Sequence, residues 1–207
     1  MKKLAWLLFS LLPLCAWAQD NTWEKPEEEE EVVEQSSVKV NPDAKYLRGA
    51  VPEVDGKIVF AQTIEAPGKN ARQVFDIVRK YMEKMLREKN QINSQMVVID
   101  SINMSLAAKY DEWLVFKSNT IILDRTQLIY VLQAECHNGK ADISISRINY
   151  IDGENRDELR YKAEELISDK AAVNKKNTRL LPLSAKFRRK TIDRKDFLFN
   201  KFESLLK

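Results

Sequence analysis

The chain has 207 residues, with 34 Lys and Arg against 31 Asp and Glu, one His and two Cys. A single histidine excludes an HExxH zinc site and leaves too few ligands for a Cys/His metal site of the usual spacing. A hydrophobic share of 44% is enough for one domain with an ordinary core, while the absence of GxxxxGK[ST] and GxSxG patterns removes phosphate-loop and nucleophile-elbow chemistry.

Residues 1–18 read as a signal peptide: MKK is a positive start, LAWLLFSLLPL an apolar stretch of eleven residues, and AWA a small-x-small cleavage site before Gln19. A membrane-spanning helix needs about 20 apolar residues, so export is expected, to the periplasm or cell envelope. Cys15 raises a lipoprotein alternative, which Leu14 opposes because the lipoprotein peptidase prefers Gly, Ala or Ser there. Cleavage leaves Cys136 as the one thiol, so no disulfide can form within the chain.

Charge is distributed unevenly. From Gln19 to Ser37 there are eight acids and one base, net −7; from Val38 to Lys207 there are 31 bases and 23 acids, net +8. Residues 19–45 read as an acidic disordered arm, because packed like charges without an apolar period cannot bury enough surface to offset ordering entropy.

An α+β domain over 46–168 follows. Asp55-Gly56 marks a turn before a strand in Lys57–Ile64, whose Ile58, Phe60 and Ile64 share one side. Pro67-Gly68 ends it, and Asn70 with Gln73 forms a capping pair for a helix over Asn70–Lys89. The stripe Val74, Phe75, Ile77, Val78, Tyr81, Met82, Met85 and Leu86 has helical period and predicts core packing.

After Asn93 the period becomes two. Five β-rich runs, from SQMVVIDSINMSLAAK to KADISISRINYID, separated by AKYD, KSN, DRT and NG, predict an antiparallel meander. Whether Asp111 to Arg125 is one strand or two stays open at this level. Asn138-Gly139 predicts a two-residue turn with positive φ at both positions and paired residue numbers summing to 277. Cys136 then faces Ala141, and Tyr130 faces Arg147. Because adjacent strand residues point to opposite sides, Cys136 turns to the core and His137 away from it, so the two are not a thiol–imidazole dyad. Glu135 opposite Asp142 is a like-charge pair with too few oxygens to hold calcium.

DELRYKAEELI predicts a second helix, with Leu159, Ala163, Leu166 and Ile167 on one side. Residues 169–207 read as a basic extension ending in the short amphipathic helix DFLFNKFESLLK. From Lys170 to Lys195 there are ten bases and one acid, Asp193. Within it, Lys186, Arg188, Arg189, Lys190, Arg194 and Lys195 form a candidate contact for an anionic membrane or lipopolysaccharide. Nucleic acid is not the expected partner in the compartment to which export delivers the chain.

The wording GAVPEVDGKIVFAQTIEAPGKNARQVFDIVRKYM with a β meander behind it resembles a bacterial domain-of-unknown-function family with a TATA-box-binding-protein-like (TBP-like) fold. The resemblance covers about Tyr46 to Ile167, and Gly56 to Met82 carries most of it; the basic stretch and last helix fit the pattern less well. It implies signal-peptide-bearing envelope proteins of Gram-negative bacteria, with a curved antiparallel sheet covered by helices on one face. It implies no activity, so no functional residues carry over.

The expected architecture is therefore a four- or five-stranded antiparallel meander sheet, with the long helix after the first strand and the C-terminal helices on one face. The expected function is a non-catalytic binding or assembly module, without cofactor or metal, taking an envelope protein on the uncovered part of the sheet or in the gap between sheet and helix. A rival is a carrier of a small apolar ligand or lipid, in a cavity bounded by Phe75, Tyr81, Met85, Trp113 and Phe116.

Overall fold

The computed structural model describes residues 41–118, 123–153 and 159–207. The expected signal peptide, Cys15 and the expected acidic arm up to residue 40 lie outside the described residues. Chain order is a 3-10 turn at Ala44–Tyr46, β1 (Glu53–Val54), β2 (Lys57–Ile58), β3 (Phe60–Glu65), α1 (Ala71–Met85), β4 (Gln95–Asp100), β5 (Ser105–Ser118), β6 (Leu123–His137), β7 (Lys140–Asp152), β8 (Leu159–Lys162), α2 (Ala163–Leu166), α3 (Asp169–Ala172) and α4 (Pro182–Leu206). The β1–β2 hairpin turns on Asp55 and Gly56, both at positive φ.

The main sheet has six antiparallel strands in the order β3-β7-β6-β5-β4, with β8 added on β7. β8 is the strand beyond the expected range. It replaces the first turn of the expected second helix: Leu159, Arg160 and Lys162 are exposed on a strand that closes the edge of β7, and the helix starts only at Ala163. Two of the expected connections are not connections. AKYD lies inside β5 and DRT inside β6, so these strands run 14 and 15 residues, with 111–118 in the first and 123–125 in the second.

α1 begins where its cap dictates. The Asn70 side chain accepts from Gln73 N, and the Gln73 side chain accepts from Asn70 N. Its stripe Val74, Phe75, Val78, Tyr81, Met82 and Met85 is buried against the sheet. Arg72–Asp76 and Arg79–Glu83 pair along the outer surface at helical spacing.

The β6–β7 hairpin keeps the expected register from His137↔Lys140 to Val131↔Ser146, with Cys136 opposite Ala141. Two details differ. Only Gly139 takes positive φ in the turn, because Asn138 is recruited elsewhere: its Oδ1 accepts from Ala71 N at the start of α1, Gly139 N donates to Lys69 O, and Ala66 N donates to Gly139 O. The hairpin tip is thus fastened to the helix entry. Tyr130 does not face Arg147, since a bulge with Arg147 at φ 54 shifts the register to Ile129↔Asn149. The shift turns Ile148 into the core.

Residues 169–207 do not form an extension beyond the domain. The later part of the basic stretch, from Lys186 on, and the last amphipathic segment are one helix of 25 residues, started by Pro182 in its first turn. Its Phe187, Ile192, Leu198, Phe199, Phe202 and Leu206 enter the same core as α1 and the sheet. Phe202 meets the Tyr81 ring edge-on at 5.0 Å, and Tyr150 shares a 2.7 Å hydrogen bond with Thr191. Residues 41–45, assigned by composition to the arm, are ordered against this helix: Asp43 is buried and accepts from Arg189, while Tyr46 OH donates to Asp193. No helix of the described residues is long and apolar enough to cross a membrane.

Candidate functional site

Register sorts the sheet into two faces. On one, Leu106, Ala108, Tyr110, Glu112 and Leu114 of β5 lie opposite Ala134, Leu132, Tyr130, Leu128 and Thr126 of β6, and α1 and α4 pack over them. The other face carries Ala107, Lys109, Asp111, Trp113 and Val115 opposite Gln133, Val131, Ile129, Gln127 and Arg125. It continues into Ser144, Ser146 and Asn149 of β7 and Ala61 and Thr63 of β3. The described helices leave this second face uncovered.

Its chemistry is mixed. Trp113, Ile129 and Val131 are half-buried apolar groups in the middle strands, and the Arg125 guanidinium stacks 3.8 Å from the Trp113 ring centroid. Hydroxyls and amides of Thr63, Gln127, Gln133, Ser144 and Ser146 surround them. Asp111 is buried beside Lys109, with Oδ1 lacking a hydrogen-bond partner among the described residues; burial pushes its carboxyl above the usual range.

At the hairpin end, Glu135 does face Asp142. Asp142 is relieved by neighbours: Thr63 Oγ1 donates to it at 2.5 Å, and His137 Nε2 and Lys140 Nζ stand 3.3 and 3.8 Å away. The Thr63 hydrogen bond, with the nearby cations, holds this carboxyl below the usual range. No group of three His, Cys, Asp or Glu that could hold a metal occurs among the described residues. Cys136 lies in the core, where burial pushes its thiol up to about 12, while His137 is exposed on the opposite face.

The covered face contains an ionic cluster that sequence reasoning missed. Arg194 Nε and Nη2 each donate at 2.7 Å to one oxygen of Glu112. Tyr130 OH, Gln91 Nε2 and Asn90 Nδ2 add further donors to the same carboxylate, and Glu88 stands 3.9 Å from Arg194. Burial would lower Arg194, but the Glu112 carboxylate more than reverses this and raises it. Glu112 is 0% and Arg194 2% exposed, and the cavity beside them, lined by Tyr130, Thr191 and Leu198 among others, measures about 10 Å³. That is room for about one water molecule, so the cluster joins α4 to the sheet and offers no space to a substrate.

The signal for it was present. Glu112 is in phase with Leu106, Ala108, Tyr110 and Leu114, and Arg194 stands between Thr191 and Leu198 on the buried side of α4. Both residues follow the buried period of their element although their side chains are charged.

The eleven candidate residues separate accordingly. Phe75, Tyr81 and Met85 are buried in the core, and Phe116 packs edge-on against Phe187 at 4.9 Å on the same face. Trp113 points to the opposite face, so the five line no common cavity. Of the six basic residues, Arg188 is fully buried, donating to the carbonyls of Tyr46, Leu47 and Ile167 and to Asp169. Arg194 is in the cluster above. Lys186 pairs with Asp124, Arg189 with Asp43 and Lys195 with Asp196, and Lys190 is half-buried. The row expected to face an anionic surface is largely turned onto the protein's own acids and carbonyls.

A family model described as a domain of unknown function (DUF4468) with TBP-like fold matches residues 60–151. A solved DUF4468 family protein from Bacteroides ovatus is 38% identical, with a TM-score of 0.73 over 79% of this chain and 94% of that one. A TBP-like protein from Parabacteroides distasonis is similar in fold, with 16% identity and a TM-score of 0.62 over 75% of this chain and 96% of that one. No curated protein matches the chain.

Proposed function

Since this chain belongs to the DUF4468 family, whose description assigns no activity, we propose from its surface that it is a non-catalytic binding module of the bacterial envelope, taking a polypeptide partner on the uncovered face of the sheet. One observation carries this reading. The helices pack over one face, while the other holds Trp113, Ile129 and Val131 half-buried within a border of hydroxyls and amides. An apolar centre with a polar rim is the pattern of a protein-binding patch. The border offers both donors and acceptors, as a polypeptide requires, with Glu135 and Asp142 near the hairpin, Lys109 beside Val131 and Arg125 at the other end. The filled space between sheet and helices supports no carrier role beside it. The signal-peptide pattern of residues 1–18 supports the envelope as the compartment.

Site-specific photocross-linking in the producing cell tests the proposal. A photoreactive side chain at Ile129 or Val131 is expected to capture a defined envelope protein, and the same group at Asp76, on the outer surface of α1, is expected not to. Equal capture from both faces, or none from the sheet, rejects it.

A further inference from the structure

Five exposed cations outside α4 lie on or beside one loop. Val173 and Leu180 pair across a short loop, and Asn174 fixes its shape, accepting from Thr178 N at 2.8 Å and donating to Thr178 Oγ1 at 3.0 Å. Asn177 sits in the left-handed region at φ 54, and its Oδ1 accepts from Arg48 N. Lys175, Lys176 and Arg179 on the loop, Arg48 beside it and Lys170 on α3 are all exposed.

None of these five forms an ion pair among the described residues, because each acid nearby is engaged elsewhere. Asp169 accepts from Arg188 and Gly49 N, Asp43 from Arg189, and Asp193 from Lys45 and Tyr46. Next to the loop, Leu183 in the first turn of α4 is 87% exposed; the Ser184 hydroxyl, donating to Ala171 O, holds that turn against α3. Asn41, where the described chain begins, donates from Nδ2 to Thr178 O on the same loop.

We propose that the 174–179 loop, with Arg48, Lys170 and Leu183, is a docking surface for an anionic phospholipid bilayer. Five exposed cations on neighbouring segments and a protruding leucine match a negatively charged headgroup layer with an apolar interior: the bases attract the surface and the leucine enters below it. The exposed leucine is what favours a bilayer over a purely polar acidic polypeptide. The surface belongs to the helix layer, so docking there leaves the uncovered face of the sheet free, and the proposal stands independently of what that face binds.

Co-sedimentation of the chain from Gln19 onward, which retains every described residue, with phosphatidylcholine vesicles containing or lacking about a third phosphatidylglycerol is the test. Binding is expected only to the anionic vesicles and is expected to be lost at high salt. Each cation near such a surface is worth about fivefold in affinity, so Lys175→Glu with Lys176→Glu should weaken binding at least about 25-fold. Leu183→Asp should weaken it with an unchanged melting curve, as should be the case for all these exposed positions. Lys80→Glu with Lys84→Glu, on α1, should leave binding unaltered. Binding to neutral vesicles, no binding at low salt, or indifference to the loop variants overturns the proposal. So does binding that appears only after Glu27–Glu31 are replaced by Gln, since the chain's own acidic segment would then be the occupant.

Discussion

Glu112 on β5 and Arg194 on α4, 82 residues apart, close a two-pronged ion pair inside the core, with both oxygen–nitrogen distances at 2.7 Å. Removing one member strands the other, together with the donors of Tyr130, Gln91 and Asn90 that converge on the carboxylate. Glu112→Leu or Arg194→Met alone should therefore cost about 3–5 kcal/mol. The double variant should cost clearly less than the sum, because no buried charge is left alone. Urea titrations of the three variants supply the cycle, and strict additivity would show that the pair is not coupled.

Arg188 performs a different task from Arg194, although both were read from the sequence as outward cations. Its guanidinium donates to Tyr46 O, Leu47 O, Ile167 O and Asp169, tying the entry segment to the end of the sheet domain. Lysine keeps the charge but cannot span those acceptors with one ammonium. Arg188→Lys should lose about 2–4 kcal/mol, and amide exchange should quicken first around residues 43–49. A uniform change across the protein, with no early loss there, would contradict the clamp.

These two arginines mark where sequence legibility ended. α1 was readable because its signals are local: Asn70 and Gln73 cap each other, and the apolar stripe needs only the helix's own period. The β6–β7 hairpin was readable for the same reason, down to Cys136 opposite Ala141. The bulge at Arg147 was not, since left-handed φ at an arginine has no composition signal and is fixed by the partner strand. β8 was missed because Leu-Arg-Tyr-Lys lies on an edge whose exposed side chains give no alternation. On the candidate binding surface, the uncovered face was foreseeable from helices gathering on one side, whereas which aromatic lies there depends on strand register: Trp113 is one residue out of phase with Glu112, and that step moves it to the other face.

Asp111 should make stability depend on pH in a definite direction. Burial raises its carboxyl above the ordinary aspartate range, so the folded state holds the proton more tightly than the unfolded chain does. The stabilisation this gives is complete below the unfolded value and declines as pH rises through the folded value. At pH 7 the charged group is a burden, and Asp111→Asn should be more stable than the parent by about 1 kcal/mol, or about 2–4 °C in Tm. The difference should shrink toward zero near pH 3.5. A destabilised Asn variant at pH 7 would mean that the carboxylate has a partner worth more than its burial costs.

Cys136 decides whether thiol chemistry is available at all. Its thiol is pushed up to about 12 by burial alone, and the imidazole beside it in sequence is exposed on the far side of the sheet, near Asp142. At pH 8 the thiolate fraction of such a group is about 10⁻⁴, roughly a thousandfold below an ordinary cysteine. In the chain from Gln19 onward, where Cys136 is the one thiol, alkylation should therefore be at least that much slower than for a free cysteine, and should recover in urea. His137→Ala should leave the rate unchanged, because a base on the opposite face of a strand cannot accept the proton. Fast native labelling that falls on loss of His137 would require the two side chains to meet, which the strand alternation forbids.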